Sequence, residues 1–259
     1  MVIFMVSSQA GKTKIALNLM GFYIGPDPSP IMYLLPTDGI AEDFSKTRIQ
    51  ANIDATPALK ELCGSNIRDG SNTIELKQFP GGYISIHGAN TLAKLASKAI
   101  RVLLLDEIDR FPDILAKEGD PIKLAIQRTT NYANRVIFFI STPTVEGKSK
   151  IEEQFEKSNQ QYFHLPCPDC GHGFILEWEL VKWELLENGE LDERSVYIEC
   201  PACFHKVTDR EKIEMLNHGV WKAQQPEKNN PRVSCQFSLF TMGKFMGIGQ
   251  RVSGCYQNK

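Results

Sequence analysis

The run Val102-Leu103-Leu104-Leu105, closed by Asp106-Glu107, limits this chain more than any other stretch. Consecutive apolar residues leave no polar face, so a strand built from them must be covered on both sides. An inner strand of a parallel sheet, with helices on each face, meets that need. Carboxylates at the C-terminal end of such a strand lie where open α/β sheets bind ligands. There Asp106 is suited to hold Mg²⁺ through water, and Glu107 to orient and deprotonate an attacking water. The plain alternative is a strand followed by a solvated acidic turn from Asp106 to Arg110.

The N-terminus favours the first reading. Met1 to Val6 is apolar, Ser7-Ser8-Gln9-Ala10-Gly11-Lys12-Thr13 follows, and Lys14 to Phe22 has helical character. Strand, small-residue loop ending in Gly-Lys-Thr, then helix is the layout of a phosphate-binding P-loop. Amides of Ser8, Gln9, Ala10 and Gly11 at a helix N-terminus can point at an anion. Gly11 lets the backbone approach the phosphates. Lys12 brings a charge to the β- and γ-phosphates, and the Thr13 hydroxyl can ligate Mg²⁺, so the implied ligand is ATP with Mg²⁺. The common pattern has Gly at position 6, where this chain has Val6. Taken alone, Gly-Lys-Thr also suits an ordinary helix start.

Between and beyond these motifs, strands and helices alternate. Ile31 to Leu35 reads as strand, Ile40 to Ile53 and Thr56 to Cys63 as helices. Thr73 to Phe79 and Tyr83 to His87 flank Pro80-Gly81-Gly82 as a hairpin. Thr91 to Ser97 and Asp120 to Asn131 read as helices, and Arg135 to Ile140 as strand. The pattern predicts an α/β domain with a largely parallel core. Ser141-Thr142-Pro143-Thr144 ends the last strand. Ser141 and Thr142 are candidates to sense the γ-phosphate, against the alternative of a turn with capping hydroxyls. Arg110, Arg128 and Arg135 are candidates for a finger acting in trans.

Near residue 160 the pattern turns to short strands, aromatics and cysteines. Cys167-Pro168-Asp169-Cys170 and Cys200-Pro201-Ala202-Cys203 are two pairs of equal spacing. Four thiolates suit tetrahedral Zn²⁺ in a closed structural site of the zinc-ribbon kind, and reduced, unliganded thiols are the alternative. His172 and His205 read as supporting or surface residues, and Cys63, Cys235 and Cys255 as ordinary ones. Asp209 to Asn217 reads as a helix capped by Thr208. Val233 to Lys259 shows no clear period and is expected to be loosely ordered. The division expected is an ATPase domain over 1–160, a four-cysteine zinc module with its helix over 161–225, and a tail over 226–259. The net charge of −2 excludes a strongly basic nucleic-acid binder but not a local DNA-binding patch. No apolar run is long enough for a membrane span.

With these residues in view, the chain resembles the large terminase subunit of tailed bacteriophages, of the GpA type. The likeness rests on Ser8-Gln9-Ala10-Gly11-Lys12-Thr13, Leu35-Pro36-Thr37, Gly88-Ala89-Asn90, Leu105-Asp106-Glu107-Ile108-Asp109, Glu118-Gly119-Asp120-Pro121, Ser141-Thr142-Pro143-Thr144, the Cys-Pro-x-Cys pairs and Gly219-Val220-Trp221. It covers roughly residues 1–232, in the family's order. It implies a RecA-like P-loop fold and an ATPase motor that drives viral double-stranded DNA into a procapsid in the host cytoplasm. It also implies a small terminase subunit and a portal protein as partners, and a homo-oligomer when active. The family's upstream adenine-contacting segment and downstream endonuclease have no match here, as expected of a truncated prophage copy that does not cut DNA. Other readings are a helicase-like P-loop ATPase and a non-catalytic zinc-bearing DNA-binding module. DNA-dependent ATP hydrolysis, portal binding and zinc content separate the three.

Overall fold

The computed structural model describes residues 1–7, 11–64, 72–91, 99–115, 119–190, 192–228 and 236–239. The chain divides into two compact units, Met1–Phe4 with Gly11–Gln154 and Met5–Ala10 with Phe155–Lys259.

The first unit is mixed α/β around a mostly parallel sheet. Its strands are β1 (Val2–Val6, of which Met5 and Val6 are counted with the second unit), β2 (Ile31–Leu35), β3 (Leu76–Phe79), β4 (Gly82–Gly88), β5 (Val102–Asp106) and β6 (Val136–Ser141). Their order across the sheet is β1-β6-β5-β2-β4-β3. β5 pairs in parallel with both β6 and β2, and β2 pairs in parallel with β4. β3 closes the edge as an antiparallel hairpin with β4, as the sequence pattern predicts. β5 is buried along its whole length, and so is β2. Burial on both faces is why these strands read as unbroken apolar runs. Taking each such Leu or Ile out of water stabilises the fold by about 1.5–3 kcal/mol before ordering entropy is subtracted. The register sets Leu105 opposite Phe139 and Asp106 opposite Ile140, so β5 and β6 end level with each other.

Helix α1 (Lys12–Phe22) buries Ala16, Leu17 and Met20 and starts at Gly11, whose φ of 80° only glycine adopts freely. It begins at Lys12, earlier than the Lys14 expected from the sequence. Helix α2 (Asp38–Phe44) is capped by the Thr37 side chain, which accepts from the Ile40 amide. It runs through one wide turn at Ser45–Ile49 into α3 (Gln50–Ala55). Pro57 opens α4 (Pro57–Gly64). Asp120 caps α5 (Pro121–Gln127), which stops earlier than the Asn131 expected, because residues after Gln127 turn back on themselves. Helix α6 (Lys150–Glu156) follows β6. The helix expected over Thr91–Ser97 lies almost wholly outside the described residues.

Gly88 ends β4 where a side chain cannot fit. A Cβ there would sit 2.2 Å from the Asp38 amide nitrogen. This closeness lets the Gly88 amide donate to Asp38 Oδ1 at 2.9 Å, and the Thr91 hydroxyl donates to the other oxygen. The Gly88-Ala89-Asn90 segment is thereby tied to the start of α2.

The second unit holds β7 (Gln161–Pro166), β8 (Gly173–Phe174), β9 (Val181–Lys182), β10 (Tyr197–Glu199), β11 (Lys206–Val207), α7 (Asp209–Asn217), β12 (Val220–Ala223) and β13 (Gln236–Leu239). β7 pairs antiparallel with β12 and β8 and parallel with β13. β9, β10 and β11 form a small antiparallel sheet. Leu165, Phe174, Leu176, Val181, Ile198, Val207 and Met215 pack with Cys167 and Cys200 as one core. Thr208 and Glu211 form a reciprocal capping box on α7, matching the expected cap. Within the stretch read as a loose tail, Pro226–Lys228 form a turn and Gln236–Leu239 a strand. The rest of that tail lies outside the described residues. No described helix is long and apolar enough to cross a membrane.

Candidate functional site

Asp106 is the last residue of β5 and is only 3% exposed. Its Oδ2 accepts a hydrogen bond from the Tyr33 hydroxyl at 2.8 Å. Its Oδ1 is buried with no partner among the described residues. Burial pushes the Asp106 carboxyl above its ordinary range, against the opposing pull of the Tyr33 hydroxyl and the Lys12 charge. Tyr33 lies in the middle of β2, and burial together with the Asp106 charge drives its phenol well up. An orphaned buried carboxylate oxygen costs roughly 1–3 kcal/mol or more. A hard cation with oxygen ligands is the group that relieves it. The residues present therefore fit Mg²⁺.

Glu107 follows with φ 58° and ψ 44°, the left-handed region. A non-glycine residue there costs about 1–2 kcal/mol and persists only where its surroundings hold it. Its amide donates to the Ile140 carbonyl at 2.8 Å, and its carbonyl accepts from the Arg110 amide at 2.9 Å. The turn Ile108–Arg110 is anchored by the fully buried Ile108. The twist turns the Glu107 side chain toward α1, where Lys12 Nζ lies 3.6 Å from Oε1. The same Nζ lies 3.4 Å from Thr142 Oγ1, just past the end of β6. Lys12 is thus shared between the acid after β5 and the hydroxyl after β6.

Of the other expected residues, Thr13 sits in the first turn of α1 and is half-buried. Ser141 is buried and faces inward: its Oγ accepts from the Asp109 amide at 3.4 Å and donates to the Thr142 carbonyl at 3.3 Å. Ser8, Gln9 and Ala10 lie outside the described residues. Arg110 stands beside the site, 3.7 Å from Glu107 Oε2 and largely exposed. Arg128 and Arg135 lie at the other end of the sheet, where the Arg128 carbonyl receives the Ile100 amide ahead of β5 and Arg135 precedes β6. Two residues that the sequence pattern does not single out belong here. Tyr33 is hidden inside an apolar strand, although a buried hydroxyl there must find a partner. Asp109 reads in the sequence only as part of the acidic motif.

In the second unit the four sulfurs of Cys167, Cys170, Cys200 and Cys203 all lie within 4.8 Å of one another. Cys167 and Cys203 sulfurs are 3.7 Å apart, and those of Cys170 and Cys200 are 3.8 Å apart. A tetrahedron of thiolates at about 2.3 Å from a central ion has edges of about 3.8 Å. The two pairs are built alike. In the first, the Cys167 amide donates to the His172 carbonyl and the Gly171 amide to the Cys167 carbonyl. In the second, the Cys200 amide donates to the His205 carbonyl and the Phe204 amide to the Cys200 carbonyl. Burial lifts the Cys200 thiol, but the amides of Cys203 and Ala202 and the neighbouring sulfurs outweigh it and bring it to about 7. The His205 amide lowers the Cys203 thiol, yet burial and the three other sulfurs push it up to about 12. Four thiolates cannot ionise together here unless a cation joins them. The His205 ring lies 3.1 Å from Glu211 Oε1, in the first turn of α7. Cys63 is buried, and burial raises its thiol.

The profile of the family described as phage terminase large subunit gpA, ATPase domain, matches residues 1–221. The chain belongs to this family. Both sites fall inside the matched span. The large terminase subunit of Enterobacteria phage P21 is 32% identical over 178 residues, covering 66% of this chain and 27% of that protein. The large terminase subunit of Escherichia phage lambda is 31% identical over 177 residues, again 66% of this chain and 27% of that protein. This chain therefore spans about a quarter of the length of these relatives. The crystal structure of the HK97 bacteriophage large terminase is similar with a TM-score of 0.48 and 14% identity, covering 60% of this chain and 32% of that one.

Proposed function

We propose that this chain is the ATPase motor part of a phage terminase large subunit, hydrolysing ATP to drive double-stranded DNA into a procapsid. The observation that carries this reading is the convergence of Lys12, Asp106, Glu107 and Thr142, from three separate segments, at the C-terminal edge of the sheet. Membership of the gpA ATPase-domain family supports it. The fold class proposed is the RecA-like P-loop type, with the loop from Ser8 to Thr13 around the phosphates.

The chemistry follows from the groups in place. Lys12 pairs with Glu107. A γ-phosphate carries more negative charge and competes for Lys12, which frees Glu107 to face water. Glu107 takes a proton from that water as its oxygen attacks the γ-phosphorus. The bond from γ-phosphorus to the bridging oxygen breaks, and ADP leaves with the electron pair. Thr142 reads whether the γ-phosphate is present, and Ser141 supports its loop from behind. Thr13 and the unpartnered Asp106 Oδ1 are the groups to hold Mg²⁺, which when bound neutralises charge on the β- and γ-oxygens. Arg110, Arg128 and Arg135 stay the candidates for a finger acting in trans: Arg110 pairs with Glu107 of its own chain, and the other two lie at the opposite end of the sheet.

We assign Cys167, Cys170, Cys200 and Cys203 to structural Zn²⁺. The working division is an ATPase domain over 1–160, the cysteine module over 161–225 and a tail over 226–259. The small terminase subunit, the portal protein and further copies of this chain are the partners proposed, in the host cytoplasm. This stretch supplies hydrolysis rather than DNA cleavage. Past residue 208 its acids are Asp209, Glu211, Glu214 and Glu227. Glu211 is committed to the cap and His205, and Asp209 to Lys212.

The test separates binding from turnover. Lys12→Ala should lose both ATP binding and hydrolysis. Glu107→Gln should keep ATP bound while turnover falls about 10²–10⁴-fold. Wild-type turnover in Glu107→Gln would remove it as the base, and absence of ATP binding by the wild-type chain would end the reading.

A further inference from the structure

Asp109 makes more contacts than a turn residue needs. Its Oδ2 accepts from the Thr144 amide at 2.9 Å and from the Thr144 hydroxyl at 3.0 Å. Its Oδ1 accepts from the Ile151 amide at 2.8 Å, in the first turn of α6. Its own amide donates to Ser141 Oγ at 3.4 Å. Four donor–acceptor links thus join three segments at one half-buried residue: the turn after β5, the loop after β6 and the start of α6. A parallel tie lies alongside, where Lys150 Nζ donates to the Phe111 carbonyl and pairs with Asp113 at 2.8 Å. Asp109 stands two residues after Glu107, whose left-handed backbone must be held by its surroundings. Its partners Ser141 and Thr144 flank Thr142, the hydroxyl that meets Lys12, in sequence.

We propose that Asp109 is the positioning residue of the nucleotide site: its carboxylate locks the strained turn that aims Glu107 to the loop that carries Thr142 and to the first turn of α6. The base and the γ-phosphate contact then form one rigid unit, and any displacement of Thr142 on phosphate release is delivered to α6. A carboxylate is suited to this because both oxygens accept and neither donates, matching three donors. Asparagine keeps one accepting oxygen and turns an NH₂ toward a donor, so it should serve only in part. Alanine leaves Thr144 and Ile151 without their acceptor and the Glu107 turn free to relax.

This inference rests on the ATPase reading, and the experiment separates the two. Asp109→Ala, Asp109→Asn and Thr144→Val are compared with the wild-type chain in ATP turnover, binding of a fluorescent ATP analogue and amide exchange. Asp109→Ala should lower kcat about 10- to 100-fold, the scale of a misplaced catalytic group, with affinity for the analogue within about threefold of wild type. Asp109→Asn should fall between. Thr144→Val, which removes one of the three donors and is the milder probe should Asp109→Ala not fold, should lower kcat by only a few-fold. In the wild type, the analogue should change exchange at residues 144 and 149–156, and in Asp109→Ala that response should vanish. Turnover like wild type in Asp109→Ala, a retained exchange response, or equal losses in kcat and affinity would overturn the proposal while leaving the ATPase reading intact. A wild-type chain that binds no analogue would instead remove the reading beneath it.

Discussion

Asp106 combines deep burial with an unsatisfied carboxylate oxygen. It is buried, has one oxygen satisfied by Tyr33 and the other by nothing among the described residues, and its carboxyl is pushed upward by burial. The folded state therefore holds the Asp106 proton more tightly than the unfolded chain does. Linkage then makes stability fall as pH rises from the ordinary carboxylate value of about 3.9 through the higher folded value. Asp106→Asn removes the charge but keeps an oxygen to accept from Tyr33. Without Mg²⁺ or nucleotide it should be more stable than wild type at pH 7, by about 1 kcal/mol or roughly 2–4 °C in Tm. The advantage should shrink as pH falls through the same window, because the wild-type carboxyl then becomes neutral too. ATP turnover of the variant should be lost. Thermal melts at pH 7 and pH 4 check this, and an Asn variant less stable than wild type at pH 7 would refute it. Asp106 and Glu107 are legible in the sequence because two acids closing an apolar run is a rare pattern. Tyr33 is not, because a tyrosine within an apolar strand looks like one more core residue until its hydroxyl is seen to reach across to β5.

At the level of elements, the two cysteine pairs form one turn built twice with different residues. Gly171 and Phe204 occupy the same place, each donating back to the first cysteine of its pair, and both have positive φ, 72° and 61°. Glycine takes this conformation freely, whereas phenylalanine is strained there by about 1–2 kcal/mol. Phe204 is 70% exposed, so little packing offsets the strain. Phe204→Gly should therefore stabilise the metal-loaded module by roughly 0.5–1 kcal/mol, and Gly171→Ala should weaken it by a comparable amount. Melting curves followed by the near-ultraviolet signal of the module's tryptophans check the pair, and destabilisation by Phe204→Gly would count against the strain argument. The elements themselves are legible wherever a single physical cause dominates. β2, β5 and β6 follow from unbroken apolar runs, and α7 from its Thr208 cap. The helix ends of α1 and α5 are less legible, because the Gly11 turn and the residues after Gln127 are set by backbone bonds that side-chain pattern does not report. β13 carries no legible signal, since its pairing partner β7 lies far away in sequence.

On the scale of the whole chain, the two units should answer differently to loss of metal. The first has a large core of its own, with β2 and β5 buried along their full length, and the four cysteines belong to the second. The core that holds the cysteines is small: Leu165, Phe174, Leu176, Val181, Ile198, Val207 and Met215, joined by Cys167 and Cys200 themselves. Cores of this size rarely hold a fold without a staple. With sulfurs only 3.7 and 3.8 Å apart, removing the ion leaves a set of thiols that must take up protons to coexist. Structural Zn²⁺ contributes an apparent binding energy of about 10–16 kcal/mol in zinc-finger peptides at pH 7, and that energy goes into folding. Chelation should thus raise amide exchange over residues from about 164 to about 207, while β2, β5 and β6 keep their protection. Because the thiols must give up protons to bind, and Cys167 and Cys203 are held above the ordinary thiol value, affinity should fall steadily as pH drops. Protein purified without chelator should carry one Zn²⁺ per chain by elemental analysis. A metal content near zero, or unchanged exchange in the cysteine region after chelation, would mean that the four sulfurs stand together without an ion.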